Sequence, residues 1–152
     1  MKQWKRIIFV GRSGNLREPM AAYISRDCFL TEEIEVMARG LVVAFPEPMN
    51  QKAEAVLISN GISAGGFASA QLSEADITKD TLILTMENSH KERVLGKFPM
   101  VTKDQVFILT EFVGDELEII DPYGGTLTAY GLCYETLKKT VKKMVRILNE
   151  GE

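Results

Sequence analysis

Ile7-Ile8-Phe9-Val10-Gly11-Arg12-Ser13-Gly14-Asn15-Leu16-Arg17 is the stretch from which the fold can be read. Four consecutive apolar residues, two of them β-branched isoleucines, suit a short strand buried on both faces. A polar loop with two glycines follows. Pro19 then fits the first turn of a helix, where its missing N–H has no partner to lose. Met20, Tyr23, Ile24 and Cys28 continue at helical spacing. A strand, a glycine loop and a helix N-terminus make a known kind of anion site. The first amides of a helix lack partners, and glycines let successive N–H groups turn inward. Arg17 adds a guanidinium that can fork onto two phosphate oxygens. The loop Gly11, Arg12, Ser13, Gly14, Asn15, Leu16 and Arg17 therefore reads as a cradle for phosphate or sulfate. On spacing alone, a structural strand-to-helix turn remains the other reading. No Gly-Lys-Ser/Thr follows, so it is not a Walker loop.

Outward from this loop the chain alternates. Ile34 to Ala38 reads as a second strand closed by Gly40. A helix spans about Asn50 to Ser59, and Asn60-Gly61 stops it. Ser73-Glu74-Ala75-Asp76 looks like a helix start. Leu82-Ile83-Leu84 is a third buried strand, followed by a helix from about Asn88 to Gly96. Gln105 to Leu109 is the fourth strand. The last helix runs from about Leu127 to Asn149, with Leu132, Leu137, Val141, Met144, Val145 and Leu148 inside and Lys138, Lys139, Lys142, Lys143 and Arg146 outside. This alternation predicts an α/β fold: a mostly parallel sheet with helices on both faces, and a ligand beyond the carboxyl ends of the strands.

Composition bounds the function. A chain of 152 residues suits one domain, 1–152. The formal charge of -3 argues against a general nucleic-acid binder. No apolar run approaches the ~20 residues of a membrane helix, and the N-terminus carries no signal-peptide pattern. A cytoplasmic protein is expected. Two cysteines and one histidine make neither a disulfide framework nor a structural zinc site without carboxylates. Cys28 and Cys133 are expected in the core, and His90 on a helix surface.

A second constellation, Asp121-Pro122-Tyr123-Gly124-Gly125, precedes the last helix. Alone it reads as a turn. Together with Arg17-x-Pro19-Met20-Ala21, Glu47-Pro48 with Asn50, Ser69-x-Gln71-Leu72 and Leu82-Ile83-Leu84-Thr85-Met86 with His90-Lys91, it resembles the low-molecular-weight protein tyrosine phosphatases. The resemblance covers nearly the whole chain. It implies a three-layer α/β/α fold with a four-stranded parallel sheet. It also implies phosphotyrosine hydrolysis through a phosphocysteine, with no metal or cofactor. In that family a loop of Cys, five residues and Arg holds the phosphate. The aspartate of Asp-Pro-Tyr protonates the leaving phenolate.

Carried over residue by residue, the loop arginine is Arg17, the general acid is Asp121, and Tyr123 walls the cleft, with Phe45 as a second candidate. The cysteine position falls on Gly11. Aligning instead on Gly14-Asn15 places it on Arg12, so neither alignment gives a thiol. The family serine after the arginine is Glu18 here. The usual Ser-Ala-Gly is Ala38-Arg39-Gly40, and the arginine of Ser-Arg-Gln-Leu is Ala70. The departures cluster on residues that arm or brace the nucleophile.

Glycine cannot attack phosphorus, and a covalent route needs an activated nucleophile. The leading expectation is a catalytically impaired relative that binds a phosphorylated protein or a small phosphoester. Glycine at 11 would remove a repelling thiolate, and Arg12, if turned inward, would add a positive charge, ~1–4 kcal/mol per unit charge at about 4 Å. Glu18 is expected to face solvent at the helix start. One alternative is a working phosphatase using Ser13 or water with Asp121. Another is an interaction module with an unoccupied pocket, making contact through the apolar loop Leu41 to Phe45. Arsenate reduction fits badly, since it needs a loop thiol and resolving cysteines.

Overall fold

A computed structural model describes residues 2–150; Met1 and residues 151–152, the ends of the expected domain, lie outside the described residues. The strands are β1 (Arg6–Gly11), β2 (Glu35–Gly40), β3 (Thr81–Thr85) and β4 (Val106–Ile108). They form one parallel sheet in the order β2-β1-β3-β4. The helices are α1 (Arg17–Asp27), α2 (Gln51–Ser59), α3 (Asn88–Lys97), α4 (Leu109–Val113) and α5 (Leu127–Glu150). The expected four-stranded α/β architecture is the one observed.

β1 is central, and Ile7, Ile8, Phe9 and Val10 are all fully buried. Its pleat sends alternate side chains into two separate cores. Ile7 and Phe9 pack with Met20 and Ile24 of α1, Leu57 of α2, and Leu137 and Val141 of α5. Ile8 and Val10 meet Leu41, Leu72, Ile83, and Val94 and Phe98 of α3 and the turn after it. Each large apolar side chain so buried contributes ~1.5–3 kcal/mol. β1 is therefore held from both faces, and its carboxyl end is a fixed platform. Gly11 pairs there with Gly40 of β2.

Several local expectations change. Ser73–Asp76 is not the start of a helix but a single 3-10 turn over Glu74–Asp76. The Asp76 carboxylate accepts from the Ser73 amide at 3.0 Å, and Ile77 is already extended on the way to β3. The fourth strand is only three residues long. Leu109 opens α4 instead, because the Glu111 carboxylate accepts from the Ile108 amide at 3.1 Å and turns the chain. Gly114, at φ 84°, ends that helix.

Leu132 is 65% exposed, contrary to the inner stripe assigned to it. The buried face runs Tyr130, Cys133, Tyr134, Leu137, Val141, Met144 and Val145. Steps of three and four residues exclude position 132, and two tyrosines complete the face in its place. Cys28 lies just past α1 and is half-buried rather than in the core, whereas Cys133 is buried as expected.

Candidate active site

The loop from Gly11 to Arg17 crosses the carboxyl end of the sheet. Three of its carbonyls are held by neighbouring segments. Gly11, Arg12 and Asn15 accept from the amides of Leu41, Val42 and Asn50 at 2.9, 2.9 and 2.8 Å. Gly14, at φ 74°, is pressed against β2: a Cβ there would lie 2.7 Å from the Gly40 nitrogen. A Cβ on Gly40 would lie 2.7 Å from the Ser13 carbonyl carbon. Both positions therefore require glycine, one for its left-handed backbone and both for the close approach.

Glu18 is the largest surprise. It does not face solvent; its exposure is 3%. It is the second residue of α1, and its side chain folds back under the loop, where Oε2 accepts from the Gly14 amide at 3.1 Å. A Cβ on Gly11 would fall on this carboxylate, closer to Oε2 than any non-bonded contact allows. The missing side chain at position 11 and the carboxylate at 18 thus fill one space. Burial pushes the Glu18 pKa up, while nearby amides and Arg17 pull it down less strongly.

A raised folded pKa means that the native state holds this proton more tightly than the unfolded chain does. Its stabilising contribution is full below the ordinary value of 4.5 and is lost as pH rises through the higher folded value. Glu18→Gln should remove that loss. In thermal melts the variant should exceed the natural chain at about pH 8, by a margin that shrinks toward acid pH. A margin that grows toward acid pH would contradict this sign.

Arg17 is also buried, at 5% exposure. Nη1 donates to the Ile119 carbonyl at 2.6 Å, and Nη2 donates to Glu87 Oε2 at 2.7 Å. Asp121 Oδ2 stands 3.8 Å from Nη2. Burial acts to raise the Glu87 pKa, but the hydrogen bond and charge of Arg17 outweigh it and hold the carboxyl low. Asp121 Oδ1 accepts from the Tyr123 amide at 3.0 Å, which fixes the turn before α5.

These elements line one groove of 410 Å³. Arg12, Ser13, Asn15, Leu16, Arg17 and Glu18 come from the loop and the first turn of α1. Val42 and Glu47 come from the segment after β2, and Asp121 and Tyr123 from the segment before α5. Gly11 and Gly14 lie beneath, buried. Phe45 is exposed and outside the lining, and Val42 takes the wall expected of it. Glu47 is read in the sequence only as part of Glu47-Pro48, and the Arg17 partners Glu87 and Ile119 have no obvious sequence signal as site residues. Only the position of Glu87, two residues after β3 and at the N-cap of α3, hints at a place on the same sheet edge.

The alternative nucleophiles do not meet the groove as bases or thiolates. The Ser13 hydroxyl donates to Asn15 Oδ1 at 2.7 Å. Burial pushes the Cys133 thiol up to about 11, and Cys28 is shifted the same way. His90 is buried, not on the surface as expected, and its Nδ1 has no hydrogen-bond partner. Burial pushes its pKa down, against the opposing pull of the Glu87 charge. Among the described residues, no three His, Cys, Asp or Glu side chains converge as a metal site.

A family model for the low molecular weight phosphotyrosine protein phosphatases matches residues 6–152. The chain belongs to this family. It is 32% identical over 143 residues to the low molecular weight protein-tyrosine-phosphatase PtpB of Staphylococcus aureus, covering 94% of this chain and 99% of PtpB. Among solved structures, it superposes on the YwlE arginine phosphatase of Geobacillus stearothermophilus with a TM-score of 0.89 and 31% identity, covering 97% of this chain and 94% of that one. A YwlE arginine phosphatase in which serine replaces a cysteine, and whose active-site serine is phosphorylated, matches with a TM-score of 0.87 and 26% identity over 95% of this chain and 96% of that one. Membership in this phosphatase family accounts for the groove's position at the strand ends. The Gly11–Glu18 pair sets this chain's loop apart from the Cys-to-Arg pattern.

Proposed function

We propose that this chain is a low-molecular-weight protein tyrosine phosphatase-like protein that binds a phosphorylated group in its loop and does not run the thiol-dependent reaction. The observation that carries the reading is the Gly11–Glu18 pair: no side chain extends from position 11, and a carboxylate fills the space one would take. The cradle around that space is kept. Three loop carbonyls are held by neighbouring segments, Arg12 is exposed at the groove, and Arg17 is held beside Asp121. Tyr123, at 77% exposure, offers a ring to the group that carries the phosphate. The ligand class is a phosphorylated protein side chain or a small phosphoester, in the cytoplasm. The names of the relatives suggest phosphotyrosine and phosphoarginine as the first ligands to try.

Charge tunes this binding. Glu18, Glu47 and Asp121 line the groove together with Arg12 and Arg17, three carboxylates against two guanidinium groups. Neutralising Glu18 balances the set. Sulfate is the cleanest probe, because its charge does not change across the useful pH range. Calorimetry should show sulfate binding that tightens as pH falls, and Glu18→Gln should bind it at neutral pH at least as tightly as the natural chain does at acid pH. Heats indistinguishable from dilution for sulfate, phosphate and vanadate, in both proteins, would refute the binding reading. They would leave the interaction module, its pocket filled by its own carboxylate, as the better account.

The serine-based alternative loses support, since Ser13 has no base on it. The phosphorylated serine in the YwlE relative bears on a separate point: an active-site oxygen on this fold can carry a phosphoryl group.

A further inference from the structure

Glu18 is turned back under the loop, with Oε2 accepting from the Gly14 amide at 3.1 Å, and it belongs to the groove lining. Oε2 also lies about one carbon–sulfur bond from where a Cβ at position 11 would stand. That is where the side chain of a nucleophile at position 11 would be. Asp121 lines the same groove, with Oδ2 3.8 Å from Arg17 Nη2.

We propose that Glu18 is a phosphoryl acceptor: its Oε2, held by the Gly14 amide, takes the place of the absent thiolate and forms a glutamyl phosphate. The inference rests on the reading that the loop binds a phosphorylated group. Glu18 Oε2 attacks phosphorus, and the bond from phosphorus to the ester oxygen breaks. The departing oxygen takes the proton of the Asp121 carboxyl. Water then attacks phosphorus, Asp121 takes a proton from that water, and inorganic phosphate leaves as the Glu18 carboxylate is regenerated. Carboxylates serve as nucleophiles of this kind in other phosphoryl transfers. The anchored oxygen limits how freely the carboxylate moves, which suits attack along one direction. Burial also limits water reaching the acyl phosphate, so the second half is the slower one.

The test uses the full chain with para-nitrophenyl phosphate. The expected result is a burst of nitrophenol approaching one equivalent, followed by slow turnover. The acid-quenched protein should carry one added phosphoryl group, mapped to Glu18 and removed by hydroxylamine. A phosphate ester on Ser13 would resist hydroxylamine. With hydroxylamine present during turnover, Glu18 should be converted to its hydroxamate, which reveals the intermediate even if it does not accumulate. Glu18→Gln should give no burst, and Glu18→Asp, one methylene shorter, a reduced one. Because adduct mapping is done on the natural chain, it does not depend on either variant folding. Release of nitrophenol with no adduct and no hydroxamate, or an adduct on another residue, overturns the inference. Sulfate binding without any phosphoryl transfer overturns it too and leaves the binding function standing; absence of sulfate binding overturns both.

Discussion

Gly11→Cys combined with Glu18→Ser should turn this chain into a steady aryl-phosphate hydrolase, while Gly11→Cys alone should not. The pair shares one volume: a Cβ on residue 11 falls on the Glu18 carboxylate. A lone cysteine must displace a buried carboxylate that accepts the Gly14 amide, so its side chain is overpacked at a cost of ~1–3 kcal/mol. It would also share the site with a like charge, which disfavours the thiolate that attacks. Serine at 18 removes both obstacles and restores a hydroxyl next to the loop. Deleting a nucleophile in a well-studied serine protease costs about 10⁶ in kcat. A reconstructed site with imperfect supports should recover part of that, on the order of 10³ over either single variant. Steady-state release of nitrophenol, corrected for the folded fraction, reads the effect. Equal rates for Gly11→Cys and the double variant would show that Glu18 does not control the position.

Arg17→Ala should be the most damaging single truncation at the site. The guanidinium is 5% exposed and holds Ile119 and Glu87 at 2.6 and 2.7 Å. Its loss leaves a buried carbonyl unpaired, while the Glu87 side chain, 34% exposed, recovers some hydration. The expected cost is ~2–3 kcal/mol, below the value for a fully buried pair. For a chain of this size that lowers the melting temperature by about 5–10 °C. Lysine at 17 should recover only part of the loss, since an ammonium cannot span both acceptors as a planar fork does. Calorimetric melting of both variants checks the ranking. A loss in Arg17→Ala under ~0.5 kcal/mol would mean that the Ile119 and Glu87 contacts contribute little.

How far the sequence reading reached can be judged at particular residues. Ile7 to Val10 announced a strand buried on both faces because no polar side chain interrupts it, and its two-sided packing agrees. The spacing of Gly11, Gly14 and Arg17 marked the loop between β1 and α1 that lines the groove. Glu18 was not legible in this way. A carboxylate at a helix start is favourable whether it points to solvent or turns back. Only the empty space over Gly11 decides between the two, and that space depends on tertiary geometry. A glycine at a position expected to carry a side chain, with a long polar residue immediately after the loop arginine, is the pattern that could have signalled it.

His90 and Leu132 were misplaced for a related reason. One belongs to a helix packed more deeply than its polar sequence suggests. The other follows a stripe whose phase is set by tyrosines, which are apolar over most of their surface.

The held carbonyls of the loop bear on affinity as well as shape. Because the amides of Leu41, Val42 and Asn50 hold the Gly11, Arg12 and Asn15 carbonyls, and Gly14 is wedged on Gly40, the loop is braced by the protein itself. Ordering a free loop costs ~1–2 kcal/mol per residue in backbone entropy. In this loop that ordering is complete before any ligand arrives. Preorganisation of this kind lets a small oxyanion bind although it offers little surface to bury. It also separates the shape of the cradle from its chemistry. Side chains at the centre of the loop can be exchanged while its backbone stays held by β2 and the segments around it.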